Sequence, residues 1–212
     1  MRSKIDPNGR TFTEQARRDQ ITACAIELVA EIGYPKTSIG KIAELAGVAK
    51  SVVLYYFSTK DELVNTLAQE IFGAAVPVMV PAIEAEETAG GKLRAYILSN
   101  GEFIHTHRNH ALAMLDMWTS YRSTTGQRLD QVMAEAAAHK PLQEDSSALD
   151  LAAIFELGQR TGEFRAFAVL PMTIAVRQAI DGAVIQSSRD PGFDVPRYCE
   201  ELVTIFDLAT RR

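Results

Sequence analysis

The 212-residue chain carries 22 Lys and Arg against 27 Asp and Glu, with 47% hydrophobic and 23% charged residues, a balance that excludes wholesale disorder and suffices for a packed core. A formal charge of −5 argues at first against a nucleic-acid partner, which needs a basic footprint, and cysteines at 24 and 199 alone supply neither a disulfide framework nor a zinc-ligand cluster. The charge is unevenly spread: residues 1–58 hold eight basic and six acidic side chains, a net +2, leaving −7 for the remainder.

Residues 1–11 are polar, contain Pro7 and Gly9, and read as a flexible arm without the apolar core of a signal peptide; with the cysteine usage this points to a reducing cytoplasm. A capping-box pattern at Thr11–Glu14 opens a first helix through Ile21, Ala25, Leu28 and Ile32, which Gly33 ends. Thr37 or Ser38 caps a short second helix with Ile39, Ile42 and Leu45. Ala46-Gly47-Val48 is a tight turn, Lys50–Phe57 a third short helix, and Ser58-Thr-Lys-Asp61 a second capping box that opens a longer helix through Leu63, Leu67 and Ile71. Further on, Pro77, Pro81, Gly90-Gly91, Thr124–Gly126, Pro141, Gly162, Pro171 and Pro191-Gly192 interrupt the pattern and delimit helices near 92–107, 110–122, 127–139, 147–161, 172–188 and 195–210, with a flexible loop over 139–147. No alternating strand of useful length separates them, and no run of 18 apolar residues marks a membrane span. The expected fold class is all-α, with an arm at 1–11, a helix-turn-helix head at 12–58 and a helical body at 59–212.

The strongest constellation is Thr37–Phe57. Two short helices joined by a Gly-containing turn have the geometry that lays a second helix in the major groove. Gly47 permits the turn, Ala43 permits close approach, and Ile39, Ile42, Val48, Val52 and Val53 supply apolar contacts to the first helix. Lys50, Ser51, Tyr55 and Tyr56 gather on or near one short helix, and Lys60 opens the next.

From about Arg17 to Leu67 the sequence resembles the TetR family of transcriptional regulators. The resemblance rests on Glu31-Ile-Gly-Tyr-Pro-Lys-Thr37, Ile42-Ala-Glu-Leu-Ala-Gly-Val48, Ala49-Lys-Ser-Val-Val-Leu-Tyr-Tyr-Phe57 and Ser58-Thr-Lys-Asp-Glu-Leu63, in that order and spacing. It implies an all-α homodimer with an N-terminal DNA-binding head and a C-terminal body that binds an effector and dimerises. The family usually has an aromatic residue at the position of Leu54 and often His at that of Tyr56, so either Tyr55 or Tyr56 is the main phosphate contact. By position, Thr37 and Ser38 would donate to one phosphate, Ala49, Lys50 and Ser51 would meet base edges, Tyr55 and Tyr56 would donate to phosphates, and Lys60 would clamp the backbone beyond. Tyr56 packing under the head is the alternative. Arg2, Lys4 and Arg10 fit either a minor-groove arm or an idle tail.

In the body, the resemblance places an effector cavity among helices that carry Asn100, Phe103, His107, Met114, Met117, Trp118, Tyr121 and Phe155, an apolar set with a few polar tips suited to a largely apolar small molecule or to plain core filling. His105, His107 and His110 do not form a metal site: on a helix the first two point about 200° apart. No cofactor is implied. The last two helices correspond to the family's dimer-forming pair, with Gly182, Ala183, Ile185, Tyr198, Leu202, Ile205 and Phe206 as interface candidates. The function implied is a ligand-responsive, homodimeric repressor of a palindromic operator. The alternatives are a sequestering binding protein without operator binding or an enzyme, although no phosphate-binding glycine loop, nucleophile elbow or metal signature supports catalysis.

Overall fold

The computed structural model describes residues 12–139 and 148–212, with side chains omitted from 136 to 139. The arm at 1–11, with its basic residues and the Thr11 cap, and the loop centred on Pro141 lie outside the described residues. The described residues form ten α-helices in order: α1 (Phe12–Ile32), α2 (Ile39–Leu45), α3 (Lys50–Tyr56), α4 (Lys60–Glu84), α5 (Ala89–Thr106), α6 (Arg108–Ser120), α7 (Leu129–His139), α8 (Leu151–Thr161), α9 (Val169–Arg189) and α10 (Val195–Thr210). Among the described residues there is no β-strand, only an isolated bridge between Phe164 and Arg211.

The head is α1 to α3 packed on the start of α4. Ile21, Ala25, Val29, Ile42, Ala43, Val53 and Phe57 are buried together, at about 1.5–3 kcal/mol for each large apolar side chain removed from water. Ser38, not Thr37, caps α2, its Oγ accepting from Lys41 N–H at 3.3 Å. Gly47, at φ 66°, makes the turn into α3 that an L side chain disfavours. The second capping box sits one residue later than its sequence pattern: Thr59 Oγ1 accepts from Glu62 N–H, and the Glu62 carboxylate accepts from the N–H and hydroxyl of Ser58.

In the body α5 is central, packed by α4, α6, α8, α9 and α10. Gly101 permits that crowding: a Cβ there would stand 2.7 Å from Cys199 Sγ on α10. Cys199 is fully buried and burial pushes its thiol up to about 11, as suits a small core residue. Phe155, Phe164 and Phe167 form an aromatic cluster behind α5, and Arg165 straps the chain to the end of α10, its N–H donating to the Thr210 carbonyl at 2.9 Å.

One expectation fails outright. Pro77 and Pro81 do not interrupt α4, which runs through both. They lie with Gly73 on one exposed stripe, so the two carbonyls that lose their amide partners, those of Gly73 and Pro77, face water rather than protein. By length and apolar composition α4 could cross a membrane, but Leu63, Val64, Leu67, Ala68, Ile71 and Ile83 are buried within this fold.

Candidate nucleic-acid interface and ligand cavity

On the head, the outer face of α3 presents Lys50, Ser51, Leu54 and Tyr55, preceded by Ala49. Their spacing places all of them on one side of a helix, while Val53 and Phe57 anchor the opposite side. Tyr55 is 73% exposed and Leu54 43% exposed, so this face holds a cation, hydroxyl groups and an apolar contact that the described residues leave uncovered. Tyr56 differs: it is half-buried against the head core and meets the Tyr55 ring edge-on at 5.1 Å. The structure therefore brings together Ala49, Lys50, Ser51 and Tyr55 and adds Leu54.

Three of the expected contact residues also have partners within the chain. Thr37 is buried and its hydroxyl donates to the Gly33 carbonyl at 2.9 Å, because the chain needs that bond to close the turn before α2. Ser38 is exposed, but its oxygen caps α2. The Lys60 ammonium lies over the Tyr34 ring, 4.0 Å from its centre, and burial lowers its pKa against the opposing pull of Asp61.

Tyr34 leads into the body. Its N–H donates to the Asp116 carboxylate of α6 at 2.5 Å, and its ring meets Tyr121 edge-on at 5.6 Å. The Tyr121 hydroxyl donates to Asp61 Oδ1 at 2.9 Å, and Asp61 Oδ2 accepts from the Thr124 N–H and hydroxyl at 3.1 and 2.9 Å. Burial works against the Asp61 charge, yet these donors and Lys60 more than offset it and hold the carboxyl below its usual range. Burial, with Asp61 adding to it, pushes Tyr34 up to about 12. Asp116, Tyr121 and Thr124 thus grip both ends of the head, at the α1–α2 junction and at the start of α4.

The body holds a cavity of about 380 Å³, within the range of small-molecule sites. Ile71, Phe72, Ala75 and Met79 of α4 and Ala111, Met114, Leu115 and Trp118 of α6 form apolar walls; Tyr96, Asn100 and Phe103 of α5 and Arg177, Gln178 and Asp181 of α9 complete it. Asn100, Phe103, Met114 and Trp118 line it as expected from the sequence, whereas Met117, Tyr121, Phe155 and His107 do not. Met117 is turned around α6 from Met114 and Trp118, by about 60° and 100°, and is fully buried in the core instead. Tyr121 belongs to the grip on the head and Phe155 to the cluster behind α5. His107, at the α5–α6 corner, stacks on Phe103 at 5.1 Å. Among the described residues no group of three His, Cys, Asp or Glu is placed to hold a metal.

Arg177 and Asp181 escaped the sequence reading because an i,i+4 ion pair on a helix ordinarily marks a solvated face. Here Arg177 turns inward: Nη1 donates to the Tyr96 hydroxyl at 3.0 Å and to Asn100 Oδ1 at 3.2 Å, and Nη2 donates to Asp181 Oδ1 at 3.2 Å. Burial opposes the guanidinium charge, but Tyr96 and Asp181 outweigh it and keep the group firmly protonated.

On the last two helices, Ala183, Leu202 and Phe206 are buried inside the protomer. Gly182 admits the Tyr198 hydroxyl, which would lie 3.1 Å from a Cβ there and donates to the Ala179 carbonyl at 2.9 Å. Gly182 thus serves the packing of α10 on α9 within the chain. Ile185 and Ile205 remain exposed, and Leu170, Ile174 and Leu208, which the sequence reading passed over, are exposed with them.

Residues 21–67 match the model of the bacterial regulatory proteins of the tetR family. That match lies within the head, so it is the head that is similar to the tetR family. A fatty acid metabolism regulator protein of Bacillus subtilis is 32% identical over 93 residues, 44% of this chain and 48% of that protein. The chain spans about half the length of the curated tetR-type relatives it matches. The fold as a whole resembles FadR from Bacillus subtilis in complex with stearoyl-CoA, with a TM-score of 0.68 at 22% identity over 88% of this chain and 96% of that one. It is also similar to a putative transcriptional regulator from Saccharomonospora viridis in complex with choline, with a TM-score of 0.69 at 21% identity over 93% and 99%. These likenesses establish the tetR-type fold of head and body.

Proposed function

We propose that this chain is a homodimeric transcriptional repressor of the tetR family that binds a palindromic operator through α3 and is released by a small molecule in the body cavity. The observation that carries this reading is the double use of α6. One side of it, at Ala111, Met114, Leu115 and Trp118, lines the cavity, and the other, at Asp116, holds the head by Tyr34. A ligand that displaces α6 therefore displaces the α1–α2 junction, and the position of α3 follows because the head packs as one core. Release requires only that the ligand prefer a head placement that no longer fits two successive major grooves.

Two copies are needed because one α3 reaches a single groove segment. The exposed Leu170, Ile174, Ile185, Ile205 and Leu208 of α9 and α10 give a second copy an apolar face to cover. The role read for the cavity is binding of a ligand rather than its turnover. The acidic body leaves the weakly basic head as the DNA-facing end.

The test is fluorescence anisotropy with the DNA upstream of the chain's own coding sequence, titrated with salt, alongside light scattering for the oligomeric state. A sequence-specific, salt-sensitive complex of one dimer per site supports the proposal. Equal affinity for unrelated DNA, or no complex, overturns it.

A further inference from the structure

The relatives named above hold ligands as unlike as an acyl-CoA and a quaternary amine, so the ligand class has to come from this cavity itself. Its hydrogen bonding is one-sided. Asn100 Oδ1 and both Asp181 oxygens are engaged, Oδ1 of each by Arg177 and Asp181 Oδ2 by Gln178 at 3.2 Å, while the amide oxygen of the exposed Gln178 is a neutral acceptor. The Asn100 amide is turned away, donating to the Tyr96 carbonyl at 2.8 Å. The donor hydrogens that the described residues do not engage include Arg177 Nε–H, the second hydrogen on Arg177 Nη2, and the Tyr96 hydroxyl, which accepts from Arg177. Nε and Nη2 form one edge of the guanidinium fork, the edge that receives two oxygens side by side. Opposite stand only apolar and aromatic walls: Ile71, Phe72, Met79, Met114 and Trp118.

The geometry points to an apolar carboxylic acid, free or as its thioester, whose acyl oxygens dock on the Arg177 edge and the Tyr96 hydroxyl while its hydrocarbon part fills the space between α4 and α6. A cation fits worse: the Asp181 carboxylate that would receive it already pairs with Arg177, whose charge repels it, and no second carboxylate is among the lining residues. Asp181 then sets affinity, because it competes with the incoming carboxylate for the same guanidinium.

This assignment deepens the effector part of the proposed function, and its test uses no DNA. The full-length protein is titrated calorimetrically with octanoate, 4-phenylbutyrate, octanoyl-CoA, octanol and octyltrimethylammonium. The acids or the thioester should bind about 10- to 100-fold more tightly than the alcohol, the worth of a charge-assisted hydrogen-bond pair; the free acids and octanoyl-CoA separate the two acyl sources. Arg177→Met should erase the preference for acid over alcohol. Asp181→Asn should tighten acid binding several-fold, a gain that a merely damaged fold does not produce. Equal binding of acid and alcohol, tighter binding of the quaternary amine, no binding of any acyl probe, or weaker acid binding by Asp181→Asn would each overturn the assignment. A chain that takes the acids without altering its hold on DNA defeats the regulator reading alone; one that binds its operator but no acyl probe defeats the ligand assignment alone.

Discussion

Replacing Tyr121 by Phe removes one hydroxyl and leaves the ring in place against Tyr34, so it isolates the bond to Asp61. That bond is 2.9 Å long and ends on a carboxylate. Hydrogen bonds to charged groups contribute about 1.5–3 kcal/mol. Asp61 is only partly buried and keeps both bonds from Thr124, which places the expected loss at the low end, about 1–2 kcal/mol. For a chain of this size that is a fall in Tm of roughly 2–8 °C.

The sign of the pH dependence follows from the Asp61 carboxyl, held below its usual range in the folded protein. A depressed carboxyl stabilises the fold above the unfolded value near pH 4 and loses that contribution as the pH falls through the folded value. The gap between wild type and Tyr121→Phe should therefore be full at pH 7 and shrink between about pH 5 and pH 3. Urea denaturation at fixed protein concentration measures it, and the double variant with Asp61→Asn should add little to either single change. A variant that melts within about 1 °C of wild type, or a loss that is the same at pH 7 and pH 3.5, would refute the grip on the head as described.

Other outcomes follow from the same structure. Tyr55→Ala should weaken operator binding while shifting stability by less than about 0.5 kcal/mol, because the ring is exposed, whereas Tyr56→Ala should lower the melting temperature; anisotropy and calorimetry separate the two. Lys50→Ala should relax the base preference at one operator position by about 1–3 kcal/mol, read by competition between single-substituted sites. Ile205→Glu combined with Leu208→Glu should shift the protein to a monomer in sedimentation and abolish tight operator binding with little change in helicity. Gly158→Ala should cost about 1–3 kcal/mol of stability, since the added Cβ would fall 2.1 Å from the Phe164 ring, and thermal melting reports it directly.

The head was the most legible part because each of its elements obeys a local rule. Caps, the positive-φ Gly47 and the alternation of buried Val53 and Phe57 with exposed Lys50 and Tyr55 all lie within a few residues of each other. The body was legible as helices but less so as a site. Met114 and Trp118 reached the cavity because i,i+4 spacing puts them on one face; Met117 did not, although its residue type fits equally well. Composition marks pocket candidates, and only the orientation of each helix sorts them. Gly182 and Ala183 show the same limit: small residues announce close packing without saying against what. Arg177 and Asp181 needed the fold itself, since nothing local separates an inward ion pair from an outward one. Lys60 has a partner in Tyr34, which lies 26 residues earlier and which spacing along α4 does not reveal.

The two prolines of α4 have a mechanical meaning. Along the stripe of Gly73, Pro77 and Pro81 the helix lacks successive rungs of its backbone ladder, all on the side facing solvent. A rod notched along one side bends most easily in the plane that opens or closes that side. The bend falls beside Ala75 and Met79 of the cavity wall, while Leu63 and Leu67, a few turns earlier on an unbroken stretch, stay locked into the head. Pressure from inside the cavity is thus partly absorbed by a compliant α4, and the stiff path by which it reaches the head is α6.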